Sequence, residues 1–370
     1  MENAILMSEL IKIELPSLVL SANEKWEWKK RMDMHLANEK SDWLKYIYEF
    51  LSRWLDESDT IELKTSGSTG EPKIIRVRKE TMLFSAQQTT DYFQFKNGEQ
   101  WLLCLPAQFI AGQMMIIRAI LNEIEFWATE PKINLQKLNG SFDFAAMIPM
   151  QVDEYLSSNL KIKNIIIGGA AISQQVEQKL KKTAGTQFYA TYGMTETVSH
   201  IALRKINGNN HSEYFTSLKN ILVGKDDRGC LTIYHKNYSQ NVICTNDLVE
   251  FNTKNEFKII GRLDNVINSG GLKIIPEEIE KVIAELIPNR ILVGGFPDEK
   301  LGDKPVLLIE GNSWDNSTLL LFKKSLADKL EKNKSPKEII FINQFSETEN
   351  GKINRKLTKE TYLKNRLNNL

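Results

Sequence analysis

The chain has 370 residues, 42% of them hydrophobic, and its 48 Lys and Arg nearly cancel its 47 Asp and Glu, leaving a formal charge of +1. That length exceeds what one core usually organises, so two domains are expected. The charge balance argues against nucleic acid or an anionic membrane as partner, and three scattered cysteines, Cys104, Cys230 and Cys244, exclude a disulfide framework or zinc site and read as packing residues.

The first residues carry Glu2, Glu9 and Glu14 with no basic leader ahead of an apolar run, and no apolar stretch reaches 18 residues; a soluble, cytoplasmic chain is expected. Between residues 23 and 58, Trp26, Trp28, Met32, Trp43, Leu44, Ile47, Phe50, Leu51 and Trp54 recur at helical spacings, predicting two amphipathic helices whose aromatics serve the core. Residues 65–73 then read TSGSTGEPK. Gly67 and Gly70 permit positive φ and let backbone N–H groups converge on an anion, Ser66, Ser68 and Thr69 add hydroxyls, and Lys73 adds countercharge, which suits a polyphosphate. The spacing is not GxxxxGK[ST], and taken alone an ordinary Ser/Gly turn explains the segment equally well.

IIRVRKE reads as the outgoing half of a hairpin, and TMLFSAQQTTDYF as a helix introduced by Thr81. Short apolar runs at WLLCLP, FDFAAMIP, NIIIGG and TQFYATYG alternate with helical AGQMMIIRAIL and SQQVEQKLKK. The alternation predicts an α/β domain whose mainly parallel sheet is covered by helices, with ligands at the carboxyl ends of its strands. From about residue 218, NILVGK, CLTIYHK, VICTNDLVEF and EFKIIGRLDNVI are strands without intervening helices, a small antiparallel barrel or sheet. PEEIEKVIAELI is a helix with proline first and acids in its first turn, and ILVGGF, PVLLIEG and LLLFKKSLADKLEK complete a small α+β unit. The expected division is a large domain over 1–262 and a small one over 263–370.

Four further motifs follow in order. TYGMTE places an aromatic face at Tyr192 beside Gly193, a hydroxyl at Thr195 and a carboxylate at Glu196, suited to a purine, a phosphate and Mg²⁺. TNDLVE offers Asp247 as an acceptor for ribose hydroxyls, GRLDNVINSGG places Arg262 before a hinge and two glycines after it, and ETENGKINR places Lys352 after a glycine. Each alone has an ordinary reading, as core ring, turn acid, surface ion pair or solvated lysine.

Together, TSGSTGEPK, YGMTE, GRLDNVINSGG and NGKINR resemble the adenylate-forming superfamily of acyl-CoA synthetases, adenylation domains and luciferases, from Thr65 to Lys352. YGMTETVSHIALR and LPAQFIAGQMMIIRAI are similar to the o-succinylbenzoate–CoA ligase branch, which serves menaquinone biosynthesis. The resemblance implies two steps: a carboxylate attacks the α-phosphate of ATP with loss of pyrophosphate, then the CoA thiol attacks the acyl-adenylate and AMP leaves. By the same resemblance Thr65, Ser66, Gly67, Ser68, Thr69, Gly70 and Lys73 hold the β- and γ-phosphates, and Thr69 and Glu196 hold Mg²⁺. Tyr192 and Gly193, with the wall Gly168, Gly169, Ala170 and Ala171, take the adenine, and Asp247 and Arg262 take the ribose. Lys352 bridges carboxylate and α-phosphate beside Thr195 and Glu196, the small domain pivots at Asp264, and Ser269, Gly270 and Gly271 line the pantetheine channel. His200, Arg204 and Arg118 are candidates for a second substrate carboxylate, and FIAGQMM and AMIPMQV for the walls of its aryl ring.

The sequence departs from the superfamily in three places: the glycine loop begins at residue 65, so the large domain is expected to be trimmed; Phe109 stands where many members carry histidine; and TND replaces TGD. The partners implied are a small carboxylic acid, ATP and CoA, with neither nucleic acid nor membrane. Other acids, a carrier protein as acceptor, and a silent adenylate-binding protein remain alternatives.

Overall fold

The computed structural model describes residues 9–64, 74–347 and 353–368. They form two compact units: residues up to Val223 with Ile233–Ile243 and Thr253–Glu256, and Gly224–Thr232 with Cys244–Asn252 and the chain from Phe257 onward.

In the first unit, strand β1 (Ile11–Ile13) precedes helices α1 (Ala22–Asn38) and α2 (Asp42–Leu55). Ser21 caps α1 with a reciprocal Ser21–Glu24 box. The two helices differ in role. α2 buries Leu44, Ile47, Phe50, Leu51, Trp54 and Leu55, whereas α1 buries only Met32 and leaves Trp26 58% exposed, so not all the aromatics serve the core. β2 (Thr60–Lys64) and β3 (Ile74–Arg78) pair antiparallel, with Lys64 opposite Ile74, as the hairpin reading expected.

Helix α3 (Lys79–Phe93) starts two residues before Thr81, which is buried inside it and donates its hydroxyl to the Asn237 carbonyl at 3.1 Å. Thr81 is therefore a tertiary contact and not the cap. Then follow β4 (Gln100–Leu103), α4 (Ile110–Leu121), β5 (Glu125–Ala128), β6 (Asn139–Met147), α5 (Pro149–Tyr155), β7 (Asn159–Ile167), α6 (Gln174–Lys182), β8 (Gln187–Gly193), β9 (His200–Lys205) and β10 (Thr216–Ser217). They build one sheet in the order β1-β5-β4-β6-β7-β8-β9-β10. Its five central strands are parallel, and β1, β9 and β10 add antiparallel edges. Leu102, Ala145, Ile165, Ile167 and Phe188 lie in one core cluster on it, and Phe93, Phe95, Trp101 and Phe144 form an aromatic group with centroids 4.3 to 5.4 Å apart. Burying each of the large apolar side chains among them contributes roughly 1.5–3 kcal/mol.

The strand-rich stretch is a four-stranded sheet, β11 (Leu222–Lys225), β12 (Cys230–Tyr234), β13 (Ile243–Phe251) and β14 (Phe257–Arg262). After it come β15 (Ile267–Ser269), β16 (Leu272–Ile274), α7 (Pro276–Ala284), β17 (Ile291–Asp298), β18 (Gly302–Glu310), α8 (Asn316–Lys329), β19 (Glu338–Ile342) and α9 (Arg355–Asn368). Their sheet runs β16-β15-β18-β17, with β19 parallel to β18. α7 and α8 cover one cluster on it through Ile279, Ile283, Phe322 and Leu326. Cys104 and Cys230 are buried as expected, whereas Cys244 is exposed and is not a packing residue. Among the described residues no helix is long and apolar enough to cross a membrane.

Candidate functional site

The first unit gathers several expected positions at the carboxyl ends of β7 and β8. Gly168 leaves β7 with its N–H on the Met147 carbonyl, and a Cβ there would lie 2.5 Å from the Thr191 hydroxyl oxygen. Gly169 follows with φ +79°, which a side chain would strain; Ala170 is half-buried and Ala171 exposed. Tyr192, on the neighbouring strand, is buried opposite Ala202, and Phe215 stands edge-on to its ring at 6.1 Å.

Gly193 has a structural reason of its own. The β8–β9 register shifts between Tyr192 and Gly193, and a Cβ on Gly193 would come 2.3 Å from the Ser199 carbonyl oxygen and 2.6 Å from His200 Cα. Beyond it Thr195–Thr197 make a 3₁₀ turn that leaves Thr195 half-buried and turns Glu196 outward. The turn is locked by Thr197, whose buried hydroxyl accepts from Met194 N at 3.1 Å and reaches the Ser199 carbonyl at 2.9 Å. Val198 closes it with φ +65°, an unusual conformation for a β-branched residue.

Behind this turn lies a buried polar cluster between α3 and α4. Arg118 is 2% exposed; its Nε donates to Thr89 Oγ1 at 3.0 Å and its Nη2 to Ser199 Oγ at 2.6 Å. His200 Nε2 lies 3.1 Å from Thr89 Oγ1, and its Nδ1 lies 3.5 Å from both Arg118 Nη2 and Ser199 Oγ. Among the described residues no carboxylate pairs with Arg118. Burial pulls its pKa from 12.5 down to about 10, opposed by Tyr238, and pushes the Tyr238 phenol up to about 12, opposed by Ser85 and Arg118. Tyr238 OH and Ser85 Oγ are both buried without a hydrogen-bond partner among the described residues. Of the three second-carboxylate candidates, Arg204 is already committed: it grips Glu177 through two bonds of 2.9 and 2.8 Å and covers the Phe215 ring. Within FIAGQMM, Gly112 to Met115 are buried, whereas Phe109 and Ile110 are half-buried and Ala111 is exposed.

In the second unit, Asp247 on β13 stands opposite Arg262 on β14, and Arg262 Nη1 donates to Asp247 Oδ1 at 3.0 Å. Arg262 Nη2 also donates to Asp264 Oδ2 at 3.0 Å, and Asn246 Nδ2 reaches both Asp264 oxygens. Burial lowers the Arg262 pKa, but Asp264 and Asp247 outweigh it and hold the group above its usual value. Gly270 and Gly271, with φ +56° and +83°, form the two-residue turn joining Ser269 to Leu272, the geometry a tight hairpin requires.

Thr65, Ser66, Gly67, Ser68, Thr69, Gly70, Lys73 and Lys352 lie outside the described residues. Beside the last of these, Ile353 bridges Glu347, and Arg355 binds Glu280 at 2.5 Å and the Val293 carbonyl at 3.2 Å. Thr89, Ser85 and Tyr238 escaped sequence reasoning. Thr89 and His200 are 111 residues apart, and the sole local signal was a pair of hydroxyls four residues apart on an otherwise buried helix face. Among the described residues no three His, Cys, Asp or Glu cluster as a metal site, and a lone exposed Glu196 fits Mg²⁺, which takes one or two carboxylates and completes its shell with phosphate and water.

Residues 62–218 match the family model described as AMP-binding enzyme. An acyl-CoA synthetase (AMP-forming)/AMP-acid ligase II-like protein from Dyadobacter fermentans is 34% identical in sequence, with 87% of this chain and 95% of that chain covered and a TM-score of 0.57. The chain belongs to the AMP-binding enzyme family of AMP-forming acid ligases.

Its similarity to curated members is narrower in kind. The 2-succinylbenzoate–CoA ligase of Haemophilus influenzae is 30% identical over 74% of this chain and 64% of its own length, so the chain spans less than two thirds of that relative. The o-succinylbenzoate coenzyme A synthetase of Bacillus subtilis, solved with ATP and magnesium ion, shares the fold at 17% identity, covering 80% of this chain and 69% of its own, with a TM-score of 0.68.

Proposed function

We propose that the chain is an ATP-dependent acid–CoA ligase that converts o-succinylbenzoate, ATP and CoA to o-succinylbenzoyl-CoA, AMP and pyrophosphate. The names of its relatives support the reaction class. The observation that carries the choice of acid is Arg118, a buried guanidinium with hydroxyls and an imidazole about it and no opposing carboxylate among the described residues. An uncompensated buried cation is costly, and the ring carboxylate of o-succinylbenzoate would offset it while the aliphatic carboxylate is activated.

The first step brings anions together, so positioning and charge stabilisation carry its catalysis. In the adenylation step the aliphatic carboxylate attacks the α-phosphate of ATP and pyrophosphate departs. Thr65 to Gly70 and Lys73 would hold the leaving phosphates, and Lys352 the carboxylate and α-phosphate beside Thr195. Mg²⁺ held by Thr69 and Glu196 would supply charge neutralisation on the phosphates.

Tyr192 and Gly193, with Gly168 to Ala171, would bound the adenine, and the Asp247–Arg262 pair would take the ribose hydroxyls. In the second step the CoA thiol displaces AMP from the acyl-adenylate. Residues 1–262 would hold the nucleotide, and residues 263–370 would pivot at Asp264 to exchange Lys352 for a channel lined by Ser269, Gly270 and Gly271.

The test is pyrophosphate release with ATP, Mg²⁺ and o-succinylbenzoate beside other aryl and acyl acids, with and without CoA, for the wild type and Lys352→Ala. Selective turnover of o-succinylbenzoate is expected. The variant should lose adenylation by about 10²- to 10³-fold while keeping thioester formation from preformed acyl-adenylate. Turnover of another acid would keep the mechanism and remove the substrate; equal loss of both steps would remove Lys352 from its role.

A further inference from the structure

We infer that His200 is a positioning residue for the acid pocket: its neutral imidazole orients the Arg118 guanidinium toward the second carboxylate of the acid. The inference rests on the reading of Arg118 given above.

Hydrogen accounting around the cluster carries it. Thr89 Oγ1 meets three groups: Arg118 Nε at 3.0 Å, His200 Nε2 at 3.1 Å and the Ser85 carbonyl at 3.4 Å. If Nε2 bears the imidazole proton, Thr89 accepts from Arg118 and His200 and donates to Ser85, so every group is satisfied. Nδ1 is then a lone pair facing Arg118 Nη2 and the Ser199 hydroxyl, each at 3.5 Å. Ser199 Oγ accepts from Nη2 at 2.6 Å and can donate its own O–H to the Nδ1 lone pair.

The opposite tautomer would set an Nδ1–H against an Nη2–H, two donors face to face. The imidazole thus fixes two hydroxyls, and they fix two edges of the guanidinium. Among the described residues, the charged and titratable groups facing it are Arg118 from α4 and, beyond Arg118, the Tyr238 phenol. Neither is a carboxylate that would draw a proton onto the ring. Burial, with Arg118 adding to it, holds the His200 pKa well below its ordinary 6.5, in keeping with a lone pair aimed at a cation.

The experiment compares kcat/KM for o-succinylbenzoate with that for 4-oxo-4-phenylbutanoate, the same acid without its ring carboxylate. It uses the wild type, His200→Leu, His200→Gln, Arg118→Met and the His200→Leu/Arg118→Met double variant. His200→Leu should lower the o-succinylbenzoate preference by about tenfold, mainly through KM, as expected for a hydrogen bond to a charged group. His200→Gln, whose amide can still accept from Arg118, should restore most of it, and the double variant should be no worse than Arg118→Met.

Equal losses with both acids, or additive losses in the double variant, would reduce His200 to a packing role and overturn the inference. A wild type that does not distinguish the two acids would instead overturn the reading of Arg118 and the inference with it. If wild type discriminates and Arg118→Met does not, yet His200→Leu still does, the inference alone falls. Imidazole ¹⁵N NMR of the wild type gives a readout independent of folding in the variants. A protonated Nε2, a bare Nδ1 and no titration from about pH 5.5 to 8 are expected, and an ordinary histidine titration would overturn the assignment.

Discussion

Asn246 donates its side-chain amide to both carboxylate oxygens of Asp264, at 3.1 and 3.2 Å. The motif that places it there reads TND where the superfamily usually has TGD, and a glycine would leave Asp264 held through its side chain by Arg262. If Asp264 is the pivot, these contacts restrain it. Asn246→Gly is therefore expected to speed CoA transfer from preformed acyl-adenylate by about two- to fivefold, since a hydrogen bond to an exposed charge is worth little. Single-turnover quench-flow measures this, and an unchanged rate would detach Asp264 from the pivot role.

Gly193→Ala tests the packing of the β8–β9 corner. A methyl there meets the backbone of Ser199 and His200 at 2.3 to 2.6 Å, and backbone cannot swing aside as a side chain can. A loss of about 1–3 kcal/mol is expected, read as a lower Tm before any assay is run. Retention of the wild-type Tm would show that the corner yields.

Arg118→Lys should not rescue Arg118→Met. A lysine ammonium cannot reach Thr89 and Ser199 from two edges while presenting a third to a substrate anion. Both variants are expected to lose o-succinylbenzoate turnover by about 30-fold or more while ATP binding, followed by calorimetry, stays near wild type. Full activity in the lysine variant would mean that charge alone matters at this position.

Acid should weaken the folded protein partly through His200. As pH falls below 6.5 the unfolded chain takes up a proton on this imidazole that the folded chain refuses, so the unfolded state binds more protons and stability falls with pH. His200→Gln removes that contribution, and its Tm should decline less steeply than wild type between about pH 7 and 5. Parallel Tm profiles would show that the folded protein accommodates the imidazolium.

Gly271 separates turn geometry from channel geometry. Its φ of +83° favours glycine, yet a Cβ there meets nothing within 4 Å. Asparagine tolerates such a φ and leucine does not, so Gly271→Asn should keep the hairpin while adding bulk. Selective slowing of the thioester step in the asparagine variant supports the channel assignment, and normal CoA turnover removes it.

Much of this architecture was legible in the residues. The alternation of apolar runs with helical stretches foretold the parallel sheet, because central strands buried on both faces are continuous in hydrophobicity and helices are not. The paired glycines at 168 and 169 and the YG of β8 marked strand ends for the same reason. Thr81 misled because a hydroxyl before an apolar stretch looks like a cap, whereas its real partner is the carbonyl of Asn237. Trp26 misled because helical spacing alone does not say which face of a helix meets a core. Arg118, His200 and Arg204 were indistinguishable in sequence; only the fold shows that Glu177 occupies Arg204 while Arg118 faces hydroxyls.

Gly112 leaves no room for a methyl group, since a Cβ there would stand 2.4 Å from the Pro106 carbonyl oxygen, and Gln113 ties the same turn through the Ala107 carbonyl at 3.0 Å. Helix α4 is thus riveted at its first turn, with Arg118 six residues further along. An inserted or deleted residue between Pro106 and Phe109 would shift the whole helix and carry the arginine away from Thr89 and Ser199. If Arg118 receives the acid as proposed, side-chain exchanges on α3 and α4 alter the pocket while its arginine stays in place, whereas a change in the length of that turn displaces it. Directed evolution toward new acids should accordingly diversify helix faces and leave the length of the turn alone.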